Sequence, residues 1–532
     1  MKHKKWIYIL LVVIVSLSLS SAGLAQYPGY SAGSAYQVVN VSNEKAQIVV
    51  QYYDQNGVAK ASRSFTDVEA NGGSRLVLVP RDETTLGAGR YSAVISSDRE
   101  IVSIVNQEFI LDNPNTPQPP FASYSGVSKG GTSVFLPAVM YNYYNYFTEI
   151  FIQNVGDADA TDVRIEYIPA TVNGVVVGTP QVENNISIKR NASVPKSQQN
   201  MTSLGAPAGS GGFTGRFFGS AMITSSQPLA VVVNEHNVTQ KKLMSYNGFT
   251  AGSTKLISPT ALRGWYTYYT ALTLVNMSQT QKACVRLTYY PDLTSASNLV
   301  RVDGTTNFTS VTAEFVIDPK NAILRYEGDE ASDSQSDLKS VYSRFTGSVV
   351  IESFAGTVGG VACTSQPLAG IMNVEAKAGT NFRNQSGSFN VMDALTATNK
   401  VIIPTVLANW YGYYTVISLA NTSNLAGACD ITYTSGPGST VGSGVKKTYT
   451  RPLAANGSFM IYEGNPTAPD SRSDINADPY WRAGGSIGRF TGAAEIVCKT
   501  ATNTPIPIVS FINEEVDKLG IDSMYTFNAV NK

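Results

Sequence analysis

Histidine is nearly absent from this 532-residue chain, which has only two. One is His3, within a basic amino-terminal segment, so processing there would leave His236 alone. A zinc centre built on several imidazoles, or a Ser–His–acid hydrolase site, has few parts to use. His236 itself, in Asn234-Glu235-His236-Asn237, reads as a solvated loop residue beside a strand end. Charge is also scarce, with 39 basic residues balanced by 39 acidic ones. Phosphate backbones demand a basic excess, so no nucleic-acid partner is expected. Beyond residue 25 no run is long and apolar enough to span a bilayer.

The one apolar run lies at the start. Lys2-His3-Lys4-Lys5 leads into Ile7 to Leu19 and then Gly23-Leu24-Ala25, the pattern of a signal peptide over residues 1–25. The mature protein is expected to begin near Gln26, secreted to the extracellular cell surface and without a membrane span. No cysteine follows the cleavage site, which argues against a lipoprotein.

What the chain does have is repetition. Tyr143 to Asn154, Trp265 to Asn276 and Trp410 to Asn421 repeat a Tyr-rich strand ending in Asn, with a shortened version at Tyr36 to Asn40. Pro137, Pro259 and Pro404 each precede the closing Asn by 17 residues. A second landmark closes each unit at Asn106, Asn234, Asn373 and Asn513, spaced by 128, 139 and 140 residues. That length suits an ordinary domain and exceeds a solenoid repeat. The expected domains are 26–125, 126–250, 251–395 and 396–532.

The apolar period identifies their class. Tyr144, Tyr146, Thr148, Ile150 and Ile152 alternate with a mixed face, as do Tyr266 to Leu274 and Tyr411 to Leu419. A period of two means strands, and one wet face is the habit of antiparallel sandwiches. The expectation is an all-β array of four tandem immunoglobulin-like β-sandwiches, forming an elongated row. The four cysteines fall as Cys284 with Cys363 and Cys429 with Cys498, which in a secreted chain suggests one disulfide in each of the last two domains.

The run from Phe151 to Tyr167 (FIQNVGDADATDVRIEY), with a later Asn456-Gly457-Ser458 turn, resembles the cell-adhesion-related Ig-like domains of bacterial surface proteins. The resemblance covers about a third of each repeat. It implies extracellular tandem modules serving as stalks, adhesins or coat units, partnered by other surface proteins or by copies of the chain itself, and it carries over no active site.

Candidate sites follow from the repeats. Glu108, Glu235, Glu375 and Glu514 recur near the closing Asn; a catalytic acid seldom needs four copies, so they are read as structural or interface residues. No enzyme activity is expected. Asp333-Ser334-Gln335-Ser336-Asp337 and Asp470-Ser471-Arg472-Ser473-Asp474, with Asp329 and Asp478 beside them, offer oxygens for a structural calcium, or else bond their own backbone in solvated turns. No other cofactor is expected. Tyr143, Trp265 and Trp410, with Phe147, Tyr269 and Tyr414 four residues on, form an aromatic row opposite the apolar stripe. Neighbouring structure covers that row, or it stacks sugar rings and makes the protein a glycan binder. Sequons at Asn40, Asn276 and Asn421 fall where strands end and read as turns. The first repeat lacks a counterpart of the Phe135-Leu136-Pro137 strand, which would leave a sheet edge open.

Overall fold

The computed structural model describes residues 9–13, 30–70, 72–111, 120–237, 239–328, 335–377, 385–436, 438–464, 472–481, 488–516 and 524–532. Their regular elements are nearly all strands, with one four-residue α-helix, Val79–Asp82, and a few 3-10 turns. The chain divides into two compact units, Met1–Ala251 and Gly252–Lys532. The division falls beside the expected boundary at 250, whereas those expected at 125 and 395 lie inside the units.

In the first unit, Tyr30–Asn40 pairs with Gly73–Leu78 on one side and with Ile101–Leu111 on the other, and Phe121–Ser125 completes that sheet. A second sheet runs Ala59–Val68, Ala46–Tyr53, Ser92–Ser97 and, at its edge, Ile9–Val13. Alternate residues Ile48, Val50 and Tyr52 point inward and meet Tyr36, Val38, Ile95 and Val105 in one core. That core continues into Phe151 and Val232 of the next stretch. There a single 21-residue strand, Phe217–Asn237, serves two sets of partners. Its first part lies between Gly131–Tyr141 and Ala160–Pro169, and its second between Tyr146–Asn154 and Lys242–Asn247. The change of partners falls at Pro228, which has no N–H to give a ladder.

The second unit repeats one strand order twice. Val311–Ile317, Ala283–Pro291, Tyr342–Phe354, Lys255–Arg263 and Met392–Asp393 form one sheet, and Ala322–Tyr326, Tyr268–Asn276, Leu368–Ala376 and Ser386–Asn390 another. The same orders recur as Lys446–Leu453, Gly427–Ser435, Phe490–Lys499, Lys400–Ala408 and Val530–Asn531, and as Ser458–Tyr462, Tyr413–Asn421, Ile508–Val516 and Met524–Asn528. The picture of separately packed beads does not hold inside this unit. Phe511 and Met524 enter the core formed by residues 256–391, with Phe389 stacked on Phe511 at 3.6 Å.

Both expected disulfides are formed, Cys284–Cys363 and Cys429–Cys498. Cys429 and Cys498 face each other on adjacent strands. Cys363 instead sits on a small side hairpin, Gly356–Val358 with Val361–Cys363, which explains why the second members of the pairs align poorly in sequence. Among the described residues no helix is long and apolar enough to cross a membrane. Disulfides and the lack of such a helix are compatible with an extracellular protein.

Candidate functional site at the aromatic turn tips

The Tyr-rich runs do not enter their strands directly. Tyr143 and Tyr146 exchange backbone hydrogen bonds of 3.1 and 2.9 Å, Trp265 and Tyr268 of 3.2 and 2.8 Å, and Trp410 and Tyr413 of 3.0 and 2.9 Å. Between them sit two residues in the left-handed region: Tyr144 (φ 50°) and Asn145 (66°), Tyr266 (46°) and Thr267 (75°), Tyr411 (51°) and Gly412 (88°). Such a two-residue turn matches the right-handed twist of its strands, but it normally takes Asn or Gly. A bulky side chain there is strained by about 1–3 kcal/mol. The same strain recurs at three equivalent places, always on a tyrosine.

The strained tyrosines share their surroundings. Each ring stands nearly perpendicular to the aromatic residue before it: Tyr143–Tyr144 at 4.9 Å and 80°, Trp265–Tyr266 at 5.3 Å and 82°, Trp410–Tyr411 at 5.1 Å and 84°. A guanidinium lies over each ring, Arg216 at 4.8 Å, Arg344 at 5.8 Å and Arg489 at 4.6 Å. Tyr144 and Tyr411 are 54% and 67% exposed. The arginines come from Arg216-Phe217-Phe218-Gly219, Arg344-Phe345-Thr346-Gly347 and Arg489-Phe490-Thr491-Gly492, a recurring motif that strand periodicity does not reveal. Its glycine is needed because a methyl group would collide with the carbonyls of Ile168, Tyr290 and Thr434 respectively. Chemically, each tip offers a cation, an aromatic face and a phenol in one small patch.

The expected aromatic row lies mostly indoors. Tyr143, Trp265, Tyr269 and Tyr414 are buried, and Phe147 and Trp410 are half-buried. Tyr143 stacks on Phe218 at 4.9 Å, Phe147 on His236 at 6.0 Å, and Tyr414 donates to Glu515 at 3.2 Å. The two left-handed residues break the alternation. They place the tyrosine expected on the apolar stripe at the surface, and the row itself is covered by neighbouring structure, the first of its two expected readings.

The acidic loops are organised around buried glutamates that sequence reading passed over. Asp329, Asp333 and Asp470 lie outside the described residues. Asp337 accepts from Arg325 Nε at 3.0 Å and from the Tyr289 hydroxyl at 3.1 Å. Asp474 accepts from Arg451 at 2.6 Å and from Tyr433 at 2.9 Å, and Asp478 from Lys447 and from Tyr449 at 2.6 Å. Behind them Glu463 accepts the N–H groups of Asp474 and Ile475 at 3.1 and 3.0 Å, and Glu327 those of Asp337 and Leu338 at 3.1 Å each. Burial pushes the Glu463 carboxyl up to about 7, and the nearby Asp474 adds to the shift. The second Ser–Asp pair of each pattern thus wraps a buried carboxylate, and the described aspartates, Asp337, Asp474 and Asp478, are held by Arg, Lys and Tyr. Among the described residues no group of three or more His, Cys, Asp or Glu is placed to hold a metal. The available signal was the Tyr-Glu-Gly at Tyr326-Glu327-Gly328 and again at Tyr462-Glu463-Gly464.

The strand-closing asparagines are internal fasteners. Asn40, Asn154, Asn276 and Asn421 are fully buried. Each amide donates to two carbonyls: Glu44 and Val68 at 2.7 and 3.0 Å, Ala158 and Ile188 at 2.8 and 3.1 Å, Gln281 and Ile317 at 2.7 and 3.0 Å, Leu425 and Ala454 at 2.6 and 2.8 Å. Each Oδ1 accepts the N–H two residues on, which makes the turn.

His236 corrects its reading as a solvated loop residue. It is buried within Phe217–Asn237, neither ring nitrogen has a hydrogen-bond partner among the described residues, and burial pushes its pKa down to about 3. The recurring glutamates do not share one register: Glu235 and Glu514 face Thr148 and Thr415, whereas Glu375 faces Tyr269. Glu235 and Glu514 are buried in their sheets, Glu375 is half-buried, and the Glu108 side chain lies outside the description.

No known protein-family model matches the chain, and no curated protein does either. Solved structures similar to it include a glycoside hydrolase of family 32 from Bifidobacterium adolescentis, with a TM-score of 0.17 at 9% identity over 98% of this chain and 96% of that one. Another is dimeric latent PorU from Porphyromonas gingivalis, with a TM-score of 0.11 at 6% identity over 81% of this chain and 31% of that one. The expectation that the chain is no enzyme is withdrawn, because a glycoside hydrolase stands among these structures. Likeness at that TM-score carries no argument for a particular activity.

Proposed function

We propose that the chain works outside the cell as a structural and adhesive component of a bacterial surface, a coat, stalk or filament subunit made of four immunoglobulin-like sandwiches in tandem. The recurring strand orders, the two disulfides and the leader-like residues 1–25 support this reading. The observation that carries it is the strained, arginine-backed tyrosine at three equivalent turns, because strain kept in triplicate serves a surface presented repeatedly. Linked weak contacts gain avidity without any single strong pocket. The partners are other surface proteins or further copies of the chain.

Replacing Tyr144, Tyr266 and Tyr411 together with Gly tests it. Glycine enters the left-handed region freely, so folding is expected to hold while retention on the native surface falls about 10- to 100-fold. Undiminished retention by the triple variant would defeat the proposal. A glycan-binding reading has its own support in the exposure of the Tyr144 and Tyr411 rings, which suits stacking on sugars. Capture of defined glycans by the wild type, lost in the triple variant, would select that reading.

A further inference from the structure

The edge of the sheet that contains Ser92–Ser97 is filled by residues that the mature protein is expected to lose. Ile9–Val13, inside the leader-like segment, runs antiparallel to Ser92–Ser97. Its register repeats what the later stretches do with their own strands. Leu11 stands opposite Ile95, as Val134 does Ile223, Leu256 does Ile351 and Val401 does Ile496. Two residues on, Val13 stands opposite Ala93, as Leu136 does Ala221, Ser258 does Val349 and Ile403 does Ala494. The far side of Ser92–Ser97 is already paired with Ala46–Tyr53, with Val50 opposite Ile95 and Tyr52 opposite Ala93. So the first sandwich is built to take an opening strand and, among the described residues, has none after residue 25.

We propose that leader removal opens the Ala93–Ser97 edge, and that the mature protein closes it with a strand donated by a partner polypeptide. The chemistry of the donor is set by the strands that hold the equivalent place. Gly131–Tyr141 and Lys400–Ala408 are extended, carry aliphatic residues at alternate positions and put no charge opposite the equivalents of Ile95 and Ala93. Ser92–Ser97 itself has no charged residue. An open edge supplies backbone donors and acceptors, and alternate side chains supply the selectivity. A partner strand is assigned over a second copy because, among the described residues, every strand of this chain already pairs within its own unit.

This inference rests on the extracellular, leader-cleaved reading, and the experiment separates the two. The secreted, processed protein is purified, its amino terminus determined by mass spectrometry, and a labelled peptide of residues 131–141 titrated against it. The expected result is a terminus near Gln26 and saturable one-to-one binding. Peptide carrying Val134→Asp and Leu136→Asp should bind at least 10-fold more weakly, and the amides of residues 93–97 should become protected from hydrogen exchange. A terminus that retains residues 9–13 would overturn the inference together with the leader reading. A correctly processed, folded protein that binds the peptide no better than its doubly substituted form would overturn the inference alone. Self-association that excludes the peptide would also overturn it, by assigning the edge to a second copy.

Discussion

Glu514→Gln is expected to raise the melting temperature of the unit formed by residues 252–532 by several degrees at pH 8 and to leave it nearly unchanged at pH 4. Glu514 stands in Ile508–Val516 with Thr415 opposite on one side and Tyr525 on the other. Burial pushes its carboxyl up to about 8, and its Oε1 has no hydrogen-bond partner among the described residues. The folded protein therefore holds a proton that the unfolded chain, with an ordinary carboxyl near 4.5, has already released. Below that ordinary value both states are protonated and the full stability is present. It drains as pH rises toward 8, by up to about 1.4 kcal/mol per pH unit and on the order of 4 kcal/mol in all. Gln keeps the shape and cannot ionise, so thermal unfolding followed from pH 4 to 8.5 should give a flatter profile for the variant. Glu463, pushed up to about 7 by burial within the same unit, supplies slope that remains. Parallel profiles for the two proteins would show that Glu514 is solvated.

Arg451→Leu is expected to destabilise the same unit by about 3–5 kcal/mol, the cost of leaving a buried carboxylate without its cation. Arg451 pairs with Asp474, whose side chain is only 6% exposed, and Asp474 in turn caps the loop around Glu463. Calcium should not rescue the variant, because among the described residues no group of three or more His, Cys, Asp or Glu is placed to hold a metal. A chelator should leave the wild-type melting temperature unchanged, because Arg451 and Tyr433 already occupy the Asp474 oxygens. Urea unfolding with and without calcium measures both effects. Recovery of stability on adding calcium would restore the metal reading of the acidic loops.

Much of the architecture was legible because it rests on period and register. Ile165 and Tyr167 alternate with Arg164 and Glu166 in a half-wet strand, and Cys429 and Cys498 pair as their spacing suggested. The closing asparagines announced turns, and turns they are. The aromatic tips were misjudged because alternation was counted through Tyr144-Asn145, Tyr266-Thr267 and Tyr411-Gly412, where two left-handed residues reverse the chain. No residue type at Tyr266-Thr267 signals that conformation, and the supporting Arg-Phe-x-Gly motif comes from a strand far away in sequence. The support of the acidic loops was hidden for a related reason. Their Asp and Ser residues are contiguous, while the Arg325 and Arg451 that neutralise them lie on neighbouring strands. The missing strand of the first repeat was visible as a gap, but its occupation by Ile9–Val13 depends on pairing that only coordinates display.

Labelling of intact cells with antibodies raised against residues 252–532 tests the central claim most directly. The account predicts dense labelling without permeabilisation, as a coat or fibres, on a protein whose amino terminus lies near Gln26. Labelling that requires permeabilised cells, on a chain that still carries its first 25 residues, would contradict it.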